Sequence, residues 1–335
     1  MAQLLLLHPG NPVMSDRVIP EASPDLPCPP PCDPSASNLS NAEDVRHYTW
    51  FWQNQSLRIT YSVLGQGQPL LLLPAFSSIS SRLEMQGLAQ ILAANYQVYV
   101  LDWLGFGHSD RPRLEYAPKI YRALLRSFVQ ETFSDPVVVI AAGHTAGYVM
   151  QLAQETPQPW KWVVLVAPTW RGPLPTLMGE KKRNLCKWLQ RLVNTPILGQ
   201  FLYWINTTRG FLKWMYQRHV FGDPSHITPA LIRAKQRCAR QPQGRLAAAA
   251  FVTGALDPLR SREDWLNLFH PIPLPVLLVI GEQMPPKSRE EAEVVAHFGG
   301  GVQVLRLPGT LGLHEEYPHL LADNIMPFLQ KYLSK

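Results

Sequence analysis

A chain of 335 residues, 46% hydrophobic and 17% charged, has the composition of an ordinary globular protein, large enough for one big core with an insertion or for two modest cores. Its four cysteines are too scattered for a disulfide framework, and no apolar run reaches the roughly 18 residues of a bilayer-spanning helix, which argues against an integral membrane protein. The net charge of +6 conceals a much stronger imbalance within the chain.

The N-terminal Leu4-Leu5-Leu6-Leu7 is too short for the apolar region of a signal peptide and stops at His8-Pro9-Gly10, so a cytoplasmic protein is expected. Ile19 to Asn41 is rich in Pro, Ser and Asp and poor in large apolar residues, so it cannot offset its ordering entropy. Residues 1–47 are predicted to form a disordered tail. Cys28 and Cys32 in that tail lack the second Cys or His pair that a metal site needs, and neither a metal nor a cofactor is expected.

From Tyr48 the pattern becomes strand-like. Tyr48 to Trp52, a polar turn at Gln53-Asn54-Gln55 and the alternating run Leu57 to Val63 read as a hairpin closed by Gly65-Gln66-Gly67. Leu70 to Leu73 is continuously apolar and ends in Pro74-Ala75-Phe76, Met85 to Ala93 reads as helix, and Val98 to Leu101 is another buried strand. Val137 to Ala142 follows, then Gly143-His144-Thr145-Ala146-Gly147, then the helix-like Tyr148 to Ala153. A buried strand turning sharply into a helix, with glycines two residues either side of the tip, has the sequence form of a nucleophile elbow, here with Thr145 where a serine would stand. Trp162 to Val166 and Val276 to Ile280 continue the series, and buried strands alternating with helices imply a parallel sheet covered on both faces.

The stretch Asp102-Trp103-Leu104-Gly105-Phe106-Gly107-His108-Ser109-Asp110-Arg111-Pro112 resembles the D-x-x-G-F-G-x-S-D-R-P loop of the α/β-hydrolase superfamily, one strand-helix unit before the elbow. The similarity runs from about Tyr48 to the C-terminus and is nearest in character to the α/β-hydrolase-fold proteins of cyanobacteria and plastids. It implies an α/β fold with a mostly parallel eight-stranded sheet flanked by helices, with residues 48–168 and 273–335 as the core and residues 169–272 as an inserted helical cap. Helices in the cap are suggested at Asn184 to Val193, Gly199 to Ile205, Gly210 to Arg218 and Pro229 to Arg240, the last with Thr228 as N-cap and Pro229 in the first turn.

Residues 169–262 hold 16 Lys or Arg against three acids, a net of +13, so the rest of the chain sums to −7. Arg183, Lys187 and Arg191 recur every four residues as a helical stripe, and Phe201, Tyr203, Trp204, Phe211, Trp214 and Tyr216 add aromatics. Basic residues beside aromatic and aliphatic ones suit an anionic membrane surface, each cation near such a surface contributing about 1 kcal/mol. The same pattern fits a solvated basic face over an aromatic cap core. No recognised motif accompanies the patch, so nucleic acid is not expected as a partner.

The resemblance also implies a triad and an oxyanion site. The acid position after the strand Val276 to Ile280 falls on Met284, with Glu282 two residues early. The histidine position in Pro308-Gly309-Thr310-Leu311-Gly312-Leu313-His314-Glu315-Glu316-Tyr317-Pro318 falls on Leu311, with His314 three residues late. Phe76 and Ala146 are the candidate oxyanion donors, although Pro74-Ala75 replaces the family's His-Gly. Losing a nucleophile or base costs a triad enzyme on the order of 10⁶ in rate. The expectation is therefore a non-catalytic or strongly impaired member, a pseudoenzyme that keeps a pocket for an apolar small molecule or lipid and uses its basic cap as a peripheral membrane or partner contact. The alternative is an ester or amide hydrolase with the shifted triad Thr145, His314 and Glu282. A third reading is an assembly factor for a membrane complex.

Overall fold

The computed structural model describes residues 43–178 and 195–333. Eight strands, β1 Asp44–Trp52, β2 Gln55–Leu64, β3 Gln68–Leu73, β4 Tyr96–Leu101, β5 Val137–Ala142, β6 Trp160–Val166, β7 Val276–Gly281 and β8 Gln303–Leu307, form a single sheet in the order β1-β2-β4-β3-β5-β6-β7-β8. The β1–β2 and β2–β4 pairs are antiparallel and the remaining pairs parallel. Gln53 and Asn54, both with positive φ, make the two-residue hairpin turn whose twist matches its strands.

The first strand starts at Asp44, so the predicted tail through residue 47 is corrected for its last residues. Asp44 to His47 pair in register with Val63 to Thr60 although their side chains are mostly exposed. Ladder hydrogen bonds hold this edge strand, and side-chain composition carries no sign of them. Residues 1–42 lie outside the described residues, as do the helix expected at Asn184 to Val193 and the stripe Arg183, Lys187 and Arg191.

Alternation along the parallel strands separates two apolar layers. Leu71 and Leu73 of β3 face one layer with the helices Pro118–Thr132 and Ala146–Leu152, whereas Leu70 and Leu72 face the other with Gln86–Leu92 and Pro318–Leu333. Strands β5 and β7 are buried along their whole length. Their continuously apolar sequences follow from cover on both faces.

Between β6 and β7 the described residues form helices and no strand: Pro173–Met178, Pro196–Asn206, Arg209–Met215 running on into Tyr216–Val220, Pro229–Ala239, Gly244–Val252 and Arg262–Asn267. Thr195, Thr208 and Thr228 each accept a backbone N–H at a helix start, the last with Pro229 in the first turn as the sequence predicts. The inserted segment divides in two. Ala247, Ala250, Leu256, Trp265 and Phe269 belong to the main core, while Leu212, Tyr216, Phe221, Ile227 and Ile232 form a separate cluster with Ile79. Gly147 of the elbow helix sits under the inner half, where a Cβ would lie 2.5 Å from Pro258 Cγ.

Candidate functional site

The C-terminal ends of β3, β5, β7 and β8 deliver the loops in which the predicted site residues stand. At the end of β5 the chain reverses at Gly143, with φ +55°, and enters a single 3₁₀ turn over Gly143–Thr145 before the helix Ala146–Leu152. A side chain at Gly143 would be strained by that φ and would bring its Cβ to 3.0 Å from Ala75 Cβ. Thr145 has ordinary helical angles, φ −70° and ψ −17°, and is fully buried. The sharp tip of the turn therefore falls two residues before the threonine, on a residue without a side chain.

The hydroxyl of Thr145 donates to the Ala142 carbonyl at 2.8 Å, the back-bond that a threonine one turn into a helix makes with its own backbone. Ala146, one of the two candidate oxyanion donors, gives its N–H to the Gly143 carbonyl inside the same turn. Phe76, the other candidate, lines a cavity beside Gly143. Its ring packs edge-on against Tyr121 at 4.8 Å and tilted against Trp103 at 5.0 Å.

The proposed acid and base are not brought to Thr145. Glu282 is exposed after β7, and its described hydrogen bonds are made by its backbone, to Leu307 and Arg289. Met284, where the sequence reading expects the acid, is buried in the main core. Leu311, where the sequence reading expects the histidine, lines the cavity as an apolar wall. His314 also lines it, but both its ring nitrogens are buried without a hydrogen-bond partner, and its nearest carboxylate is Glu84 at 3.9 Å. No described hydrogen bond or ion pair joins Thr145, His314 and Glu282.

The cavity, about 920 Å³, lies between the sheet's strand ends and the inserted helices. Its walls are largely apolar, including Ile79, Leu202, Phe211, Met215, Val220, Phe251 and Val252, and its exposed members Leu177, Asn206, Trp214 and Lys287 mark the mouth. Besides scattered polar residues that include the cations Arg171 and Lys287, the lining holds one largely buried polar group, Glu84, Tyr216, His314 and Glu315. Behind them Lys235 Nζ lies 2.8 Å from Glu315 Oε1 and 3.3 Å from Glu84 Oε1, and Tyr216 donates its hydroxyl to Glu315 Oε2 at 3.1 Å. Burial alone would lower the Lys235 pKa, but Glu315 and Glu84 outweigh it and hold the ammonium well above its ordinary value. Burial pushes the Glu315 carboxyl up against the pull of Lys235.

A second buried histidine borders the cavity. His144 Nε2 lies 3.1 Å from the Leu256 carbonyl and 3.5 Å from Asp257 Oδ1, while Nδ1 has no partner. A carbonyl only accepts, so Nε2 carries the proton and Nδ1 holds a lone pair. Burial pushes its pKa down to about 4, so the ring is neutral at pH 7.

The motif Asp102 to Pro112 serves the framework. Asp102 is fully buried and accepts from the Arg82 N–H and guanidinium, each at 2.6 Å, and from the His108 N–H at 2.9 Å. Burial would raise its pKa, but His108 and Arg82 outweigh that and hold the carboxyl below its ordinary value. The loop thereby fixes the start of the Arg82–Met85 turn that presents Glu84 to the cavity.

The model of the alpha/beta hydrolase family matches residues 70–324. The chain belongs to that family. An uncharacterized protein of Mycobacterium tuberculosis and one of Mycobacterium bovis are each 27% identical to it over 131 residues, a stretch that is 39% of this chain and only 38% of either relative. Among solved family structures, a serine hydrolase involved in carbazole degradation, the CarC enzyme, superposes with a TM-score of 0.66 at 18% identity, covering 87% of this chain and 99% of its own. An esterase of Thermogutta terrifontis gives 0.64 at 18%, covering 88% and 99%. The haloalkane dehalogenase DatA of Agrobacterium tumefaciens gives 0.66 at 17%, covering 86% and 97%. These likenesses establish the shared hydrolase fold.

Within this hydrolase fold, three polar residues escaped the sequence reading. His144 stood inside the elbow motif as a spacer between Gly143 and Thr145. Lys235 was counted with the basic patch, yet it lies three residues after Ile232 and four before Ala239, on the buried face of its helix. That spacing was the available signal. Glu84 had none, since its role depends on a partner about 150 residues away in the chain. Among the described residues no cluster of three or more His, Cys, Asp or Glu could hold a metal ion, and no helix is long and apolar enough to cross a membrane.

Proposed function

We propose that the chain is a non-catalytic or strongly impaired alpha/beta hydrolase that holds an apolar ligand between its core and its inserted helices and rests those helices on an anionic membrane surface. The observation that carries this reading is the glycine at the tip of the elbow. The family's nucleophile occupies that sharp strand-to-helix turn, and here the position is Gly143, while the nearby hydroxyl of Thr145 is committed to Ala142. A nucleophile also needs an adjacent base, and His314 and Glu282 do not supply one to it. The apolar walls of the cavity support ligand binding.

Membrane contact draws support from the outer helices. Phe201, Trp204, Ile205 and Trp214 are exposed there, beside the exposed cations Arg209, Lys213, Arg218 and Arg240. Trp214 is also at the cavity mouth, so the face that meets the lipid is the face through which a ligand enters. Aromatic and basic side chains together suit an anionic interface.

Turnover of short-chain aryl esters should be absent, with Thr145→Ala indistinguishable from the parent. Robust hydrolysis abolished by Thr145→Ala, with labelling of Thr145 by a serine-hydrolase probe, would instead establish the shifted-triad hydrolase. In vesicle sedimentation, binding should require anionic lipid and weaken at high salt. Binding that ignores lipid charge removes the membrane clause.

A further inference from the structure

We infer that the cavity selects a long-chain apolar molecule ending in an uncharged hydroxyl and rejects the matching carboxylate. This rests on the reading of the cavity as a ligand pocket and specifies the ligand's polar end.

Two buried imidazoles line the cavity with ring nitrogens that have no partner: His314 through both nitrogens and His144 through Nδ1. A buried polar atom left unpaired costs free energy, which a ligand group able to reach it recovers. A pure hydrocarbon leaves the cost in place. The groups around His314 decide what else is admitted. Glu84 and Glu315 line the cavity with it, and the one ammonium close to them, Lys235, is already shared between the two carboxylates. A carboxylate headgroup brought there would meet like charge in a desolvated setting and has no proton to give. An ammonium headgroup would compete with Lys235 for the same oxygens and meet its charge. A hydroxyl both donates and accepts, so one group can serve an imidazole lone pair and a ring N–H or carboxylate around it.

The test uses the full chain and four probes of equal chain length, dodecanol, dodecanoate, dodecylammonium and dodecane, with displacement of a fluorescent apolar dye as the readout at neutral pH. Dodecanol should bind more tightly than each of the other three by on the order of tenfold or more, the loss expected when a site's polar groups are left unpaired or opposed. His314→Phe should reduce dodecanol binding to the level of dodecane while leaving dodecane unchanged, and His314→Gln, which restores hydrogen bonding, should recover part of the preference. Should His314→Phe fail to fold, the wild-type ranking with His314→Gln still decides. Dodecanoate or dodecylammonium binding as well as dodecanol overturns the inference and leaves the apolar pocket standing. A chain that binds none of the four sinks the pocket reading and the inference with it.

Discussion

The two halves of the helical segment between β6 and β7 are built on opposite terms. The inner half, from Gly244 onward, buries Ala247, Leu256, Trp265 and Phe269 in the main core and lies over the elbow. The outer half closes on a small cluster of its own and leaves Phe201, Trp204 and Trp214 exposed. It is tied to the core by polar contacts: Lys235 to Glu84 and Glu315, Glu316 to the N–H groups of Gly222 and Asp223 at 2.7 Å each, and the Gly312 N–H to the Val220 carbonyl at 2.9 Å. On the near side Arg171 and Arg262 reach Glu291 of the core. The opposed charges of the basic segment and the acidic remainder thus partly neutralise each other across the interface. What remains exposed is the aromatic and basic face of the outer half.

This contrast predicts different remedies for damage to each half. Lys235→Met should lose about 3–5 kcal/mol at neutral pH in urea unfolding, because two carboxylates stay buried without their cation. Adding Glu84→Gln and Glu315→Gln should recover most of it. If the single variant is as stable as the parent, the outer half is not held by this cluster. Trp265→Ala in the inner half should cost a comparable amount, about 3–5 kcal/mol, through loss of packing alone, and no second polar substitution should rescue it.

The elbow between them has its own pH signature. His144 has its folded pKa pushed down to about 4 from an ordinary value of 6.5, so the unfolded chain binds the extra proton first. Stability contributed by the neutral ring is complete above pH 6.5 and is lost as pH falls toward 4, by about 3 kcal/mol for a shift of that size. The urea midpoint of His144→Phe followed across that window should fall less than that of the parent. Equal slopes would show that the ring is not buried neutral.

The smallest effect on stability belongs to the outer face. Phe201→Ser with Trp204→Ser should change stability by no more than about 0.5 kcal/mol, as exposed positions do, yet sharply reduce sedimentation with anionic vesicles. Unchanged sedimentation would leave the exposed aromatics without the membrane role proposed for them.

Much of this architecture is legible in the residues themselves. The apolar runs Leu70 to Leu73, Val137 to Ala142 and Val276 to Ile280 mark strands covered on both faces, because only such strands can do without polar positions. Thr228-Pro229 marks a helix start, and the long gap between the strands at Trp162 and Val276 marks the insertion. The expectation that the family's acid and base positions fall on Met284 and Leu311, neither of which can exchange a proton, also comes from the residues alone. Backbone geometry and partnership over distance were not legible. Glycine spacing sets the elbow tip at Thr145, but the turn reverses at Gly143, where a Cβ would lie 3.0 Å from Ala75 Cβ, an approach that only the folded chain creates. Likewise Lys235 reads as one more surface cation until the fold sets it between Glu84 and Glu315, because a charge's burial is decided by what the rest of the chain packs around it.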